Sequence, residues 1–508
     1  MTDLSSGQGW VRTKDAERLP PPPNMTGLTG WLLQNLFNSP LNSVFTIVGA
    51  AFIAWIVWGI IDWAIIHAVF TGENRDACVA GQQTGAELGA CWPYVWAKFH
   101  QFVYGFYPFD QRWRVNICFL VGAIALAAMA IPSVPYKKWN AIFLLVIYPL
   151  LTFILLTGGN LNLSLSTILG IVGLLLLSAL AVPVMAFGVE DGIRRNRLAI
   201  ALAAVTLAIF LLSLFISMPV INVFGNFVSV STLLIVVLLL AAAVLSIAHE
   251  ASSRDISARS ALMSWIGACC AVLAVLVLVT ADFGLVPVET QQWGGLLVTL
   301  VVAVTGIVAS LPLGILLALG RRSKMTVVRL FSVIFIEVWR GVPLITVLFM
   351  SSIMLPLFLP EGVNFDKLLR ALVGTALFTA AYMAENVRGG LQAIPKGQYE
   401  AAQALGLSYW KTMNLIILPQ ALKIAIPSIV NSFISLFKDT TLVLIIGLFD
   451  LLGIVKASFA DPKWVSPQTA STGFFVAAVM FWVFCFAMSR YSIFMERRLQ
   501  TGHKRRGI

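Results

Sequence analysis

The chain has 508 residues, of which 59% are hydrophobic and only 11% charged, and its formal net charge is +11. A water-soluble fold of this length needs far more charge to cover its surface, so a soluble enzyme or binding protein is excluded. The basic excess would raise nucleic acid as a partner in a soluble protein; here it falls where the positive-inside rule places it, and the expected surroundings are a lipid bilayer, with no nucleic acid.

The polar tail 1–43 carries Arg12, Lys14, Arg18 and the run Pro20–Pro23. The proline run reads as an extended, solvated spacer within a cytoplasmic tail, and no cleavable signal is evident. Solid apolar runs of about 20 residues come after it, each long enough to cross a hydrocarbon core of about 30 Å. They fall at 44–66, 115–131, 140–157, 164–187, 198–218, 227–248, 261–280, 296–319, 330–355, 368–388, 425–447 and 472–494. The runs do not alternate as barrel strands would. The expected fold class is an all-α polytopic integral membrane protein with twelve transmembrane helices and both termini cytoplasmic. That orientation favours the inner segments in Lys and Arg by about three to one.

Of six cysteines, only Cys78 and Cys91 lie in the long outer loop 67–114. In an oxidising compartment they are expected to bridge, with two free thiols as the alternative. Cys118, Cys269, Cys270 and Cys485 lie in apolar spans and read as packing residues. Trp92, Trp96 and Trp113 in the same loop suit the membrane interface.

The character of the chain changes near Thr290. Residues 44–289 read as an accessory transmembrane region of seven spans, poor in polar residues at depth. Residues 290–508 read as the working unit, with Glu337, Arg340, Glu385, Lys438 and Asp439 at or near membrane depth. No repeat relates the two halves, which disfavours a twelve-span, ion-coupled secondary transporter.

Segment 389–424 is polar but sits between very apolar runs. Gly389 and Gly390 are expected to end the tenth span, and Pro395 marks a second break in the chain. Gln398 to Leu405 can form two helical turns with Ala401, Ala402 and Leu405 on one side. Gly406 suits the left-handed stop of that helix, Ser408 an N-cap, and Pro419 the first turn of the next element. Such a piece on the inner face fits the docking of a soluble partner.

Glu400-Ala401-Ala402, then Gly406, then Ile416-Ile417-Leu418-Pro419-Gln420-Ala421-Leu422 resembles the EAA signature of type I ABC importer permeases, and the polar amino-acid family in particular. Trp293-Gly294-Gly295-Leu296, Pro312-Leu313-Gly314, Glu337-Val338-Trp339-Arg340-Gly341-Val342-Pro343, Ala384-Glu385-Asn386-Val387-Arg388-Gly389-Gly390 and Phe437-Lys438-Asp439-Thr440-Thr441-Leu442 agree with it. Gly89-Ala90-Cys91-Trp92 and Tyr104-Gly105-Phe106-Tyr107-Pro108 resemble the longer permease subunit of general L-amino-acid importers. The chain departs from that pattern between about Gly159 and Asp282, where four further spans (about 160–280) intervene; an even number leaves the downstream topology intact.

The resemblance implies a C-terminal five-helix permease core in the bacterial inner membrane. It also implies a coupling segment (Gln398, Glu400, Ala401, Ala402, Leu405, Gly406) seated on cytoplasmic ABC ATPase subunits. The other implied partners are a second, homologous but different permease chain and a periplasmic amino-acid-binding protein. ATP and Mg would be used by the ATPases, with no cofactor or metal bound here. The chain shows no phosphate-binding loop of its own and no zinc-type His/Cys spacing. His67, His100, His249 and His503 are scattered and read as interfacial.

The residues themselves leave two readings of the intramembrane charges Glu337, Arg340, Glu385, Lys438 and Asp439. Glu337 and Arg340 are three apart on one helix face and can pair with each other. Lys438 and Asp439 diverge around a helix, and Thr440 and Thr441 suggest an interruption there. They can line a path for a zwitterion or form a gating salt bridge. The expected function is uptake of polar L-amino acids driven by ATP hydrolysis in partner subunits. Opines or polyamines are alternative solutes.

Overall fold

The computed structural model describes residues 27–79, 87–131, 133–159, 165–187, 189–213, 219–223, 226–251, 256–358 and 365–499. Arg12, Lys14, Arg18, Pro20–Pro23, Arg254, His503 and the end of the fifth predicted span (214–218) lie outside these residues. The described fold is helical apart from one short antiparallel hairpin, which pairs Val220–Val223 with Asn226–Ser229.

The helices follow the apolar runs. In chain order they are α1 (Pro40–Ile66), α2 (Trp92–Tyr104), α3 (Phe109–Ala130), α4 (Lys137–Thr157), α5 (Thr167–Phe187), α6 (Arg197–Ser213), α7 (Val230–Ala248) and α8 (Ala258–Thr280). Next come α9 (Gly295–Arg321), α10 (Thr326–Gly341), α11 (Leu344–Phe358), α12 (Lys367–Gln392), α13 (Lys396–Ala404), α14 (Tyr409–Ile446), α15 (Leu451–Ser458) and α16 (Pro467–Leu499). Among the described residues, ten helices are long and apolar enough to cross a membrane.

Each of the twelve predicted spans meets an apolar helix, with two departures. The fifth is the shorter α6 over the residues described. The ninth is not a straight span but the pair α10 and α11, bent by 103°. The cause is Pro343. It cannot donate a helical hydrogen bond, and it holds Val342 extended at φ −107° and ψ 136°.

Two sequence boundaries also move. The helix expected to end at Gly389-Gly390 runs on to Gln392 before Pro395 caps the next one. Within the outer loop 67–114 the described residues include a short helix at Arg75–Val79 and all of α2. Trp96 is exposed, as is Trp113, while Trp92 donates its indole N–H to the Ala64 carbonyl at 2.9 Å.

The chain forms two compact units. The smaller takes residues up to Trp96 together with Pro462–Thr472. Within it Cys78 and Cys91 are bonded to each other, both are buried, and their Cα atoms are 5.6 Å apart. The Cys91 amide donates to Thr472 Oγ1, and the Trp63 indole donates to Gln468 Oε1.

The larger unit holds Ala97–Asp461 and Gly473–Ile508. Its packing runs across residue 290. Tyr107, Val115 and Leu156 share one core with Trp293, Leu297, Val298 and Leu348. A second core, of Ala318, Ile336, Ala384, Val387, Leu391, Ile417 and Ala421, joins the C-terminal ends of α9 and α12 to the start of α14. Helix α9 lies along α12, and α12 along α14.

A disulfide closing this 13-residue separation is worth about 3 kcal/mol. Replacing Cys78 and Cys91 together by Ala should lower stability by about that much. Maleimide should leave both thiols unmodified until a reductant is added; complete labelling without reductant would show that the bond is not made.

Candidate coupling site and intramembrane charge cluster

The coupling segment is built from two helices and a tight stop. Helix α13 begins after Pro395, and Ala402 is its buried residue. The stop at Gly406 has φ +69°. The Gly406 amide donates to the Gln403 carbonyl at 2.9 Å, and the Leu407 amide to the Ala402 carbonyl at 3.1 Å. This paired pattern is the Schellman motif, and it needs a left-handed residue where Gly406 stands. Ser408 occupies the next N-cap position, although its side chain makes no capping bond.

Of the apolar residues expected on one side, only Ala402 faces inward. Ala401 is exposed and Leu405 is 76% exposed. Tyr409, Trp410 and Leu415 are exposed with them, so the turn presents an apolar tip. Gln398 and Glu400 are exposed beside it. The tip is braced from behind. Arg322, just past α9, donates to Tyr399 Oη at 3.0 Å and to the Leu391 carbonyl at 3.3 Å, and its guanidinium lies 5.4 Å from the centre of the Tyr399 ring. After Thr412 the chain makes a π-turn at Met413–Ile417 and continues without a break into the membrane part of α14. Pro419 sits in the first turn of that continuation.

The intramembrane charges fall into two separate groups. The first gathers where α9, α10 and α12 meet. Arg321 Nη1 lies 2.9 Å from both Glu337 Oε1 and Glu385 Oε1. Glu385 Oε2 receives Arg388 Nε at 2.8 Å and Nη2 at 2.6 Å, with Arg340 Nη1 at 3.7 Å. Glu385 is therefore the hub, and its side chain is only 14% exposed. Arg340 also lies 5.7 Å from the centre of the Tyr382 ring. Glu337 and Arg340 do not pair with each other: Glu337 turns to Arg321 and Arg340 to Glu385. The local i,i+3 option loses to cross-helix partners that a single helix cannot offer. Three arginines around two glutamates leave one net positive charge.

The second group lies further along α14. Asn386 of α12 donates to Ser432 Oγ at 2.8 Å and to the Ser428 carbonyl at 3.3 Å. Lys438 lies six residues beyond Ser432, about 9 Å along the helix axis. It is exposed, and among the described residues neither Lys438 nor Asp439 is in an ion pair. At Thr440 the helix tightens to a 3₁₀ run that ends at Ile446, which is the interruption expected there. Both hydroxyls are used locally, Thr440 bonding to the Phe437 carbonyl and Thr441 to the Lys438 carbonyl. Thr440 is buried, so it supports the turn rather than lining a surface.

Arg321, Arg322 and Tyr399 were not singled out by sequence, and Asn386 and Arg388 appeared there only within a motif. Arg321 and Arg322 belong to the Lys and Arg excess of the inner segments. The signal for Arg388 was present, three residues after Glu385.

Glu385→Ala would leave three arginines around an empty centre, and it should cost about 3 kcal/mol of stability. Glu337→Gln, on a side chain 54% exposed, should cost under about 1 kcal/mol. Thermal unfolding of the two variants in detergent checks the ranking; equal losses would remove Glu385 from the centre of the cluster.

Residues 310–501 match the family described as the binding-protein-dependent transport system inner membrane component. The inner membrane amino-acid ABC transporter permease protein YhdY of Escherichia coli (strain K12) is 40% identical over 473 residues, covering 93% of this chain and 93% of its own. The glutamate/glutamine/aspartate/asparagine transport system permease protein BztC of Rhodobacter capsulatus is 38% identical over 504 residues, covering 98% of this chain and 100% of its own. A solved amino acid ABC transporter with histidines is 29% identical over 40% of this chain and 92% of its own, with a TM-score of 0.36. The family match takes in the charge cluster from Arg321 onward, the coupling turn and Lys438. Both relatives match nearly from end to end, and the chain belongs to the amino-acid ABC transporter permeases.

Proposed function

We propose that this chain is the multi-pass inner-membrane permease subunit of a binding-protein-dependent importer that carries polar L-amino acids into the cytoplasm. Family membership supports the transport role. The names of the two full-length relatives support amino acids as the solute, and that of the Rhodobacter capsulatus protein favours acidic and amide side chains. In this reading the ends carrying Arg321, Arg322 and the coupling turn face the cytoplasm. ATP and Mg belong to ABC ATPase subunits that receive the tip, and a second permease chain and a periplasmic binding protein complete the assembly.

The observation that carries the proposal is the attachment of α13. Its tip is exposed and apolar, as a docking element must be, while its base is tied to α9 through Arg322 and Tyr399 and runs into α12 and α14 within a few residues. A push on the tip therefore moves three membrane helices together. The Glu385 cluster joins α9, α10 and α12 at that same end and can act as a latch that opens or closes with the ATPases. The exposed Lys438 and the neighbouring Asp439 offer a cation and an anion to a zwitterion further along the path.

Gly406→Val places a β-branched residue at φ +69° and should unmake the Schellman stop at a cost of about 1–3 kcal/mol. Coupled uptake should fall to background while the protein remains in the membrane, checked by labelled glutamate uptake alongside immunoblotting. Unimpaired uptake would count against the coupling role.

Uptake in cells should persist when the proton gradient is collapsed with ATP preserved, and should stop when ATP is depleted. The opposite result would mean an ion-coupled transporter.

A further inference from the structure

We propose that Asp62, His67 and Glu87 form a site for a divalent transition-metal cation, zinc in chemical class, at the end of α1. Their ligand atoms all lie within 4.8 Å of one another. His67 Nδ1 and Asp62 Oδ2 are 3.2 Å apart. A tetrahedral cation with bonds of about 2.0–2.1 Å sets its ligand atoms about 3.3 Å apart, so this pair already has the spacing of two ligands to one ion. The cation would bind Nδ1 and Oδ2 in place of their hydrogen bond, with the imidazole proton on Nε2, and a divalent ion against two carboxylates and a neutral ring is electroneutral. One imidazole with two carboxylates suits zinc among the common divalent ions, with water in the remaining position.

The backbone brings these donors together from separate stretches. Asp62–Ile66 is a π-turn, closed by the His67 amide on the Asp62 carbonyl at 2.9 Å, and it stacks residue 67 over residue 62. The returning segment that carries Glu87 is fastened to the same turn. The Gly89 amide bonds to the His67 carbonyl at 3.2 Å and the Ala90 amide to the Trp63 carbonyl at 2.8 Å. Asp62 is half-buried, whereas His67 and Glu87 are open to solvent, so an ion has a path in. Cys91, four residues after Glu87, is bonded to Cys78. Metal and disulfide would thus close the same outer segment at two points, and loading with metal would stiffen residues 67–79 and 87–91.

The test uses the full chain in detergent without a polyhistidine tag, stripped with chelator and titrated with zinc alone. About one zinc per chain should bind, raising Tm at ~100 µM zinc and slowing hydrogen exchange in 67–79 and 87–91. His67→Ala and Glu87→Gln should each weaken binding at least about tenfold. Glu87→Gln is a conservative change at an exposed position, so it reports on binding even if His67→Ala unfolds. Cobalt in place of zinc should give ligand-field bands without thiolate charge transfer, which separates this site from the free cysteines Cys118, Cys269, Cys270 and Cys485. Absence of saturable zinc binding, equal affinity in Glu87→Gln, or a thiolate band would each overturn the proposal.

Discussion

The transport end of this protein depends on how closely three helices approach. A Cβ added at Gly314 of α9 would lie 2.4 Å from Met383 Cβ on α12, and one at Gly390 of α12 would lie 2.3 Å from the Ala421 carbonyl oxygen on α14. Neither spacing admits a side chain. Without an apolar driving force between helices in lipid, such backbone-close packing is what holds a bundle together. It also limits sliding, because ridges this close can move only as a body. Helix α13 inherits that rigidity. Only Ala393 to Pro395 separate it from α12, and Ile394 among them is buried in the same core as Ala384 and Ala421.

Charge is arranged around this packing. A single carboxylate at membrane depth is costly, and Glu385 is stabilised by three guanidinium groups drawn from three helices. Each arginine side chain stays partly exposed. The arrangement differs from a closed ion pair in one useful way. Separating α10 from α9 and α12 breaks the contacts of Arg321 to Glu337 and of Arg340 to Glu385, but leaves Arg388 on Glu385 within α12. In that case the hub still keeps a partner on its own helix.

Much of this was legible in the sequence wherever the signal is local. Solid apolar runs gave the spans and Gly406 the helix stop, because each depends on what one residue or one run permits the backbone to do. The failures share a cause. Gly389 and Gly390 read as helix breakers, yet the helix passes through them, since Gly390 serves close approach rather than termination. Glu337 and Arg340 read as a pair because periodicity sees only one helix at a time. The register between α9, α10 and α12, which decides the actual partners, is a tertiary quantity that no single-helix pattern encodes. The gathering of Asp62, His67 and Glu87 was hidden likewise, by a π-turn that shifts the usual spacing and by a return segment 20 residues later.

The stretch between about 160 and 280 packs largely apart from the core. Helices α5, α6, α7 and α8 pack mainly on one another, and α8 also touches α4. The chain leaves at Gly159 and returns at Asp282, and these two residues face each other in an antiparallel bridge. Just inside that point the Val288 amide bonds to the Thr157 carbonyl at 2.9 Å. Exit and re-entry are thus adjacent, as in a hairpin, and the core meets the same two backbone ends whatever lies beyond them. Within the excursion the polar groups look after themselves. Where the helix of α5 is interrupted at Ala179 and Leu180, the Ala179 carbonyl accepts from the Val182 amide at 3.1 Å and from Ser246 Oγ at 3.0 Å, and Asn196 donates to that same Ser246 at 3.1 Å. A stretch that packs mainly on itself and returns to its starting point adds membrane-facing surface without altering the geometry of α9, α12 and α14. The charge cluster and the coupling turn therefore stay where the bundle places them.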